Sequence, residues 1–181
     1  MTDEQLQEFS FRPITREDLA LIHEWLLRPH VAQWWDSPAS LAEVEEEFGS
    51  SIDGTGTTTV FIALREQVPM GLIQSYVVMG SGDGWWEDER DPGARGIDQF
   101  LADADQLNRG LGTAMVRAFL KRLFSDPAVT VVQADPRPDN HRAIRCYAKL
   151  GFTAVGEVAT PDGPALLMRC RRADLTDAAS A

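Results

Sequence analysis

Three stretches of this chain carry groups of the kind that do chemistry. Residues 106–113, Gln-Leu-Asn-Arg-Gly-Leu-Gly-Thr, fall between a predicted strand and a predicted helix. A glycine-rich link of this kind can turn several backbone N–H groups toward one anion, and the helix N-terminus adds partial positive charge. Gly110 and Gly112 let the backbone approach a phosphate closely, and Arg109 adds a charge at the same end. The same glycines would also serve a plain tight connection, and the pattern is neither a Walker A sequence nor GxGxxG. Residues 80–98, GSGDGWWEDERDPGARGID, set Trp85 and Trp86 among glycines and carboxylates. Either one ring pins the loop to the core, or the segment is an aromatic, acidic platform for a cation. In DNHRAIRCYAKLGF, Tyr147 stands near the end of a helix, as an amphipathic core residue or with its hydroxyl facing a cleft.

Charge separates along the chain in the same sense. The formal net charge of −11 disfavours nucleic acid and anionic lipid as partners and suits cationic ligands. Residues 80–105 hold eight acidic side chains against Arg90 and Arg95, whereas residues 109–149 hold eight basic ones against Asp126, Asp135 and Asp139. One region suits a cation and the other an anion, unless both are ordinary solvated faces. The 181 residues, 44% hydrophobic and 25% charged, fit one soluble domain, with no apolar run long enough for a membrane span. MTDEQLQEFSF has no signal-peptide pattern, so a cytoplasmic location is expected. Cys146 and Cys170 read as two reduced thiols, and His23, His30 and His141 make no metal motif.

The elements that must position these groups follow from periodicity and punctuation. FSFRPI (9–14) reads as a strand, and Thr15 with Asp18 caps a helix through LALIHEWLLR. LAEVEEEF (41–48) reads as an acidic helix, and DGTGTT (53–58) as a turn. TVFIALRE (59–66) and MGLIQSYVVM (70–79) form a hairpin, and GIDQFLAD (96–103) is a central strand. LGTAMVRAFLKRLF (111–124) is an amphipathic helix, and VTVVQAD (129–135) a further strand. A helix capped by Asp139 or Asn140 then ends at Gly151, and FTAVGEVAT and ALLMRCR are strands flanking TPDGP. The expectation is an α+β fold on a mixed sheet, as one domain over 1–172 with a flexible tail at 173–181.

RGLGTAMV, followed some thirty residues later by NHRAIRCYAKLGF, resembles the acetyl-coenzyme-A-binding core of the GCN-five-related N-acetyltransferases (GNAT). More narrowly, residues 75–103, QADPRPDNHRAIRCYAKLGF and TPDGPALLMRC look like the aminoglycoside 6′-N-acetyltransferases. The resemblance covers about residues 10–171 and is weakest across 36–58. It implies a mixed, mostly antiparallel sheet flanked by helices. It also implies direct acetyl transfer from acetyl-CoA to the 6′-amine of an aminoglycoside in a ternary complex, giving antibiotic resistance, with no metal. Another amine substrate, or binding without turnover, stands as the alternative, and the chain would be a monomer or a homodimer.

By the same resemblance, Trp35, Gln74, Ser81, Asp83, Trp86, Asp98 and Asp135 would line the aminoglycoside site. Phe100, Leu101, Leu107, Asn108, Arg109, Gly110, Leu111, Gly112, Thr113, Asn140 and Tyr147 would hold the cofactor. Leu107 departs from the family's usual Gln or Arg, and Asn108 from its more frequent glycine. Asp98 would be the general base or would only orient the amine, and Tyr147 would protonate the departing thiolate. Backbone N–H groups around Phe100 and Leu101 would stabilise the oxyanion, and Glu87, Asp88 and Glu89 would form a solvated, steering surface.

Overall fold

The structure is a computed structural model and describes residues 9–176. The first residues of the segment read for a targeting signal, and residues 177–181 of the expected tail, lie outside that range. Seven strands make one sheet: β1 (Phe9–Pro13), β2 (Thr58–Arg65), β3 (Val68–Val77), β4 (Ala94–Leu101), β5 (Val131–Ala134), β6 (Thr153–Thr160) and β7 (Gly163–Arg171). Their order is β1-β2-β3-β4-β5-β7-β6, antiparallel except for the parallel β4–β5 pair. Helices α1 (Leu19–Leu26), α2 (Pro29–Ala32) and α3 (Leu41–Asp53) connect β1 to β2. Helices α4 (Leu111–Phe124) and α5 (His141–Lys149) flank β5 in sequence. The mixed α+β architecture expected from the sequence is the one found.

Sequence periodicity explains the layers. Val60, Ile62, Leu64, Leu72 and Phe100 alternate onto one sheet face and pack with Ile22, Leu26, Val44 and Phe48 of α1 and α3. Phe61, Ala63, Ile73, Ile97 and Leu101 take the other face, against Met115, Phe119 and Leu120 of α4 and Tyr147 of α5. Asn140 is the residue that caps α5, its side chain accepting from the Ala143 N–H at 3.2 Å. The acidic helix runs five residues past its expected end, to Asp53, because Ile52 still packs on the core and Ser51 accepts from the Val60 N–H. The β2–β3 turn is Glu66-Gln67, both with positive φ, as a two-residue hairpin requires. Residues 173–176 are held against α5, with Thr176 donating to the carbonyls of Lys149 and Leu150.

One feature of the sheet positions everything else. β4 pairs with β5 only at Ala94, Arg95 and Gly96, yet β4 runs on to Leu101. From Ile97 onward no strand of the described residues accompanies β4 on that side, and the sheet splits. The Ala94 carbonyl accepts from the Val78 N–H and the Ala102 N–H donates to the Met70 carbonyl, so even-numbered residues of β4 turn their backbone groups toward β3. The edge facing the split therefore belongs to Ile97, Gln99 and Leu101. Its far end is tied down by His30, whose Nε2 donates to the Leu101 carbonyl at 2.9 Å.

Candidate active site

The split opens into a cleft of about 1050 Å³ whose two walls differ in chemistry. On the α1–α3 side of the sheet the face changes character along its length. Beyond apolar Leu72 and Phe100, the next residues on the same face are Gln74, Tyr76 and Asp98. Gln74 is paired opposite Asp98, and its Nε2 donates to Asp98 Oδ2 at 3.0 Å. Tyr76 is opposite Gly96, where a Cβ would lie 2.0 Å from the phenol ring. Only glycine leaves room for Tyr76 to lie across β4, which accounts for the glycine two residues before Asp98.

Asp135, just past β5, and Asp162, in the β6–β7 turn, bring two more carboxylates to this wall. Burial is the first cause that raises Asp98 above the ordinary carboxylate range, with Asp162 adding to it and the Gln74 hydrogen bond opposing it. Asp135 is pushed up to about 8, by burial first and then by the charges of Asp98 and Asp162. These are carboxylates held together without a cation, an arrangement that an ammonium group would relieve. Glu47 of α3 lines the same cleft and is raised by desolvation and then by Asp36.

The tryptophan loop is both packed on the core and open to the cleft. Trp85 and Trp86 are each half-buried, with ring centroids 5.9 Å apart, and both line the cleft. Trp86 packs beside Val78, Ala94 and Val131, so one ring is an anchor, while the exposed parts of both remain available to a ligand. Trp35 joins them from beyond α2, set edge-on to Phe100 at 5.1 Å. Glu89, expected on the solvated surface, instead bonds Arg169 of β7 at 2.7 Å with its side chain 10% exposed. Burial works to raise its pKa, but the N–H groups of Asp91 and Arg90 and the Arg169 guanidinium outweigh it and hold it below the usual value. Glu89 therefore fastens the platform to the sheet, and Glu87 and Asp88 remain exposed. Ser81 lines the cleft while its hydroxyl donates to the carbonyls of Val77 and Val78. Asp83 is exposed at the loop tip with positive φ and does not line the cleft.

The opposite wall is built on backbone. Gly110, with φ 80°, is the residue before α4, and the first N–H groups of the helix have no partner within it. A Cβ on Gly112 would meet only Leu101 Cδ1, at 3.8 Å, and one on Gly110 would meet nothing within 4 Å. Packing therefore does not require glycine at 112, yet a side chain there would project into the cleft. Asn108 adopts the positive φ of 59° that glycine supplies elsewhere, which explains its place in this link. Leu107, Thr113 and Asn140 complete this part of the lining, with Arg142, Arg145 and Lys149 of α5 beside them. Arg109 is exposed and outside the lining, and the Leu111 side chain is buried in the core, leaving only its backbone N–H at the helix start.

Tyr147 and Asp98 reach the cleft from opposite faces of the sheet, at the β4–β5 gap. Tyr147 is 5% exposed and lines the cleft, with its ring 5.1 Å from Phe152. Burial first, then the nearby charges of Cys146 and Asp98, lift its pKa well above that of free tyrosine. Leu101 keeps its expected place at the gap. Phe100 lines the cleft too, but its amide is turned into the β3 ladder, so the free donors at the gap are the N–H groups of Gln99 and Leu101. Cleft residues that sequence reasoning missed include Tyr76, Glu47, Gln99 and Asp162. Asp162 had a signal, since TPDGP is the turn of a hairpin whose strand follows the cleft wall.

Comparison with known proteins converges on the same chemistry. Residues 15–160 match the family model of the acetyltransferase (GNAT) domain. The aminoglycoside N(6′)-acetyltransferase type 1 of Klebsiella pneumoniae is 52% identical over 162 residues, covering 88% of this chain and 81% of the relative. A kanamycin resistance protein of Rhizobium radiobacter is 63% identical over 84 residues, covering 46% of this chain and 78% of its own. A crystal structure of the aminoglycoside acetyltransferase AAC(6′)-Ib in complex with coenzyme A and kanamycin superposes with a TM-score of 0.88. Its sequence is 51% identical, and the match covers 92% of this chain and 96% of that one.

Proposed function

From the chain's membership of the GNAT acetyltransferase family, we propose that it transfers an acetyl group from acetyl-CoA to the 6′-amine of aminoglycoside antibiotics, giving resistance to them. The observation that carries this reading is the pairing of the two walls at one gap. A polyamine sugar needs carboxylates for its ammonium groups and flat rings for its C–H faces. The wall formed by Asp98, Asp135, Asp162, Trp35, Trp85 and Trp86 offers both. The opposite wall suits a pyrophosphate, with the α4 N-terminus, the open space at Gly112 and the cations of α5. When bound there, acetyl-CoA supplies the acetyl group as an activated thioester.

The chain's own residues then divide the work. Asp98, raised above the ordinary carboxylate range by burial, accepts hydrogen bonds from the amine and takes its proton, with Gln74 fixing the carboxylate's orientation. The Gln99 and Leu101 N–H groups, which no strand engages, donate to the oxygen where negative charge develops. Tyr147 stays protonated throughout the working range and gives its proton to the sulfur as the thiolate departs. Gly110, Leu111, Gly112 and Thr113 contribute backbone N–H groups to the anion. Asp135 and Asp162 hold further ammonium groups away from the reacting one. Residues 1–172 would act as a single acetyltransferase domain.

The test is release of the free CoA thiol with kanamycin, with spermidine and with a peptide amine, followed by mass spectrometry of the product. Kanamycin-dependent release with the acetyl group on the 6′-nitrogen is expected. Release with spermidine or the peptide alone would keep the family and overturn the substrate.

A further inference from the structure

The two halves of the split sheet are tied together at both ends, by different means. At the closed end, where β4 and β5 still pair, Arg169 bonds Glu89 at 2.7 Å and Thr130 bonds Asp91 at 2.5 Å. At the open end the described tie is a single contact. The Arg137 guanidinium lies 5.2 Å from the centroid of the Trp34 ring, and both residues line the cleft. Trp34 follows α2 and belongs to the half that carries Gln74 and Asp98. Arg137 stands between Asp135 and Asn140, on the link from β5 to α5, and Asp139 holds its guanidinium at 2.8 Å. The contact therefore bridges the two halves of the sheet across the cleft.

A second observation shows that this contact is balanced rather than locked. The Trp34 indole N–H is shielded from solvent and has no hydrogen-bond partner. A shielded, unmade hydrogen bond opposes the closed arrangement, and swinging the ring outward would return the N–H to water. Arg137 is the exposed partner, with 56% of its side chain accessible, so the attraction is of the weak, solvent-facing kind. Its neighbour Trp35 does the opposite, packed against Phe100 and unable to move without disturbing the core. Of the two adjacent tryptophans, Trp35 packs on the core and Trp34 meets an exposed guanidinium.

We propose that Trp34 and Arg137 form a strap that closes over the cleft during acetyl transfer and opens for cofactor exchange. They act as positioning residues, making no contact with the reacting atoms. The inference rests on the reading of the cleft as an acetyl-CoA-dependent aminoglycoside acetyltransferase site. Closed, the strap keeps water from the thioester until the amine arrives. Open, it admits the competing hydrolysis, in which water adds to the thioester carbonyl, the C–S bond breaks, and acetate and the CoA thiol leave.

The measurement is thiol release without acceptor, set beside acetylkanamycin formed with acceptor and the CoA dissociation rate. Arg137→Met and Trp34→Ala should raise acceptor-free release and CoA dissociation by about two- to fivefold, the factor one exposed cation–π contact supplies. Trp34→Phe keeps an aromatic face and removes the unpartnered N–H, so it should match the wild type or fall below it. A merely structural role predicts instead that Trp34→Phe behaves like a mild Trp34→Ala. Arg137 is exposed enough that Arg137→Met carries the test even where Trp34→Ala lowers the melting temperature. Unchanged hydrolysis and CoA dissociation in Arg137→Met, with wild-type kanamycin acetylation intact, would overturn the strap. Absence of kanamycin acetylation in the wild type would instead overturn the underlying reading.

Discussion

On the proposed function, the two walls of the cleft would recognise opposite charges by opposite means. The cofactor wall is mostly backbone, made of the N–H groups at the start of α4 and of space left where glycines carry no side chain. The substrate wall is mostly side chain, gathered from α3, β3, β4, the β3–β4 loop, the end of β5 and the β6–β7 turn. Backbone recognition is local in sequence and tolerant of substitution, so Leu107 and Asn108 can stand in this link. Side-chain recognition is scattered and exacting. Its carboxylates are also held at a cost, because each disfavours ionisation of the next.

Asp98→Asn removes the proton acceptor where the walls meet and should have the largest effect. Turnover is expected to fall about 10²–10⁴-fold with an unchanged melting transition, the range for loss of a positioned acid or base. Near-normal turnover would leave Asp98 as an amine-orienting group only. Tyr147→Phe takes away the proton donor from the other face of the sheet, and kcat should fall about 10²-fold, more than any KM rises. An unchanged kcat would make Tyr147 a core residue with a hydroxyl at the cleft.

Asp135→Asn tests the substrate wall alone. Affinity for kanamycin should weaken by about 10- to 100-fold, the scale of a hydrogen bond to a charged group. Its stability effect has the opposite sign. The folded pKa of about 8 lies above the unfolded value, so folding binds the proton more tightly and stability falls as pH rises from about 4 to 8. Asp135→Asn should therefore melt above the wild type at pH 8, with the difference closing toward pH 4. Kanamycin binding near neutral pH should release protons, because its ammonium groups favour the ionised carboxylates. Calorimetry in buffers of different ionisation enthalpy would read that release directly. The smallest effect expected is that of Gly112→Val, which fills the open space on the cofactor wall. Affinity for CoA should drop roughly tenfold, the scale of overpacking a fitted space.

The same contrast decides what the sequence could disclose. Gly110, Gly112, Asn140 and Tyr147 lie in two contiguous motifs, and each is found at the cleft. Asp98 was legible through the family resemblance, which places an acidic residue on the strand before the glycine link. The strands and helices followed from periodicity, apart from the short α2 and the extension of α3, which tertiary packing sustains. The splitting of β4 from β5 was not legible, since it depends on where pairing stops rather than on residue type. With it went the parity that turns the N–H groups of Gln99 and Leu101, rather than that of Phe100, toward the gap. Glu89 misled for a related reason, as nothing local distinguishes a solvated glutamate from one that meets Arg169 eighty residues away. Tyr76 shares a face with Asp98 only once the β3–β4 register is known.

Separate recognition by the two walls is tested most directly by a double-mutant cycle on ligand affinity. The dissociation constants of kanamycin and of CoA would be measured by calorimetry for the wild type, Asp135→Asn, Gly112→Val and the double variant. Each substitution should shift its own wall's ligand, leave the other within about twofold, and add in the double variant to within about 0.5 kcal/mol. A kanamycin constant untouched by Asp135→Asn, or a CoA constant that follows Asp135 rather than Gly112, would contradict the account.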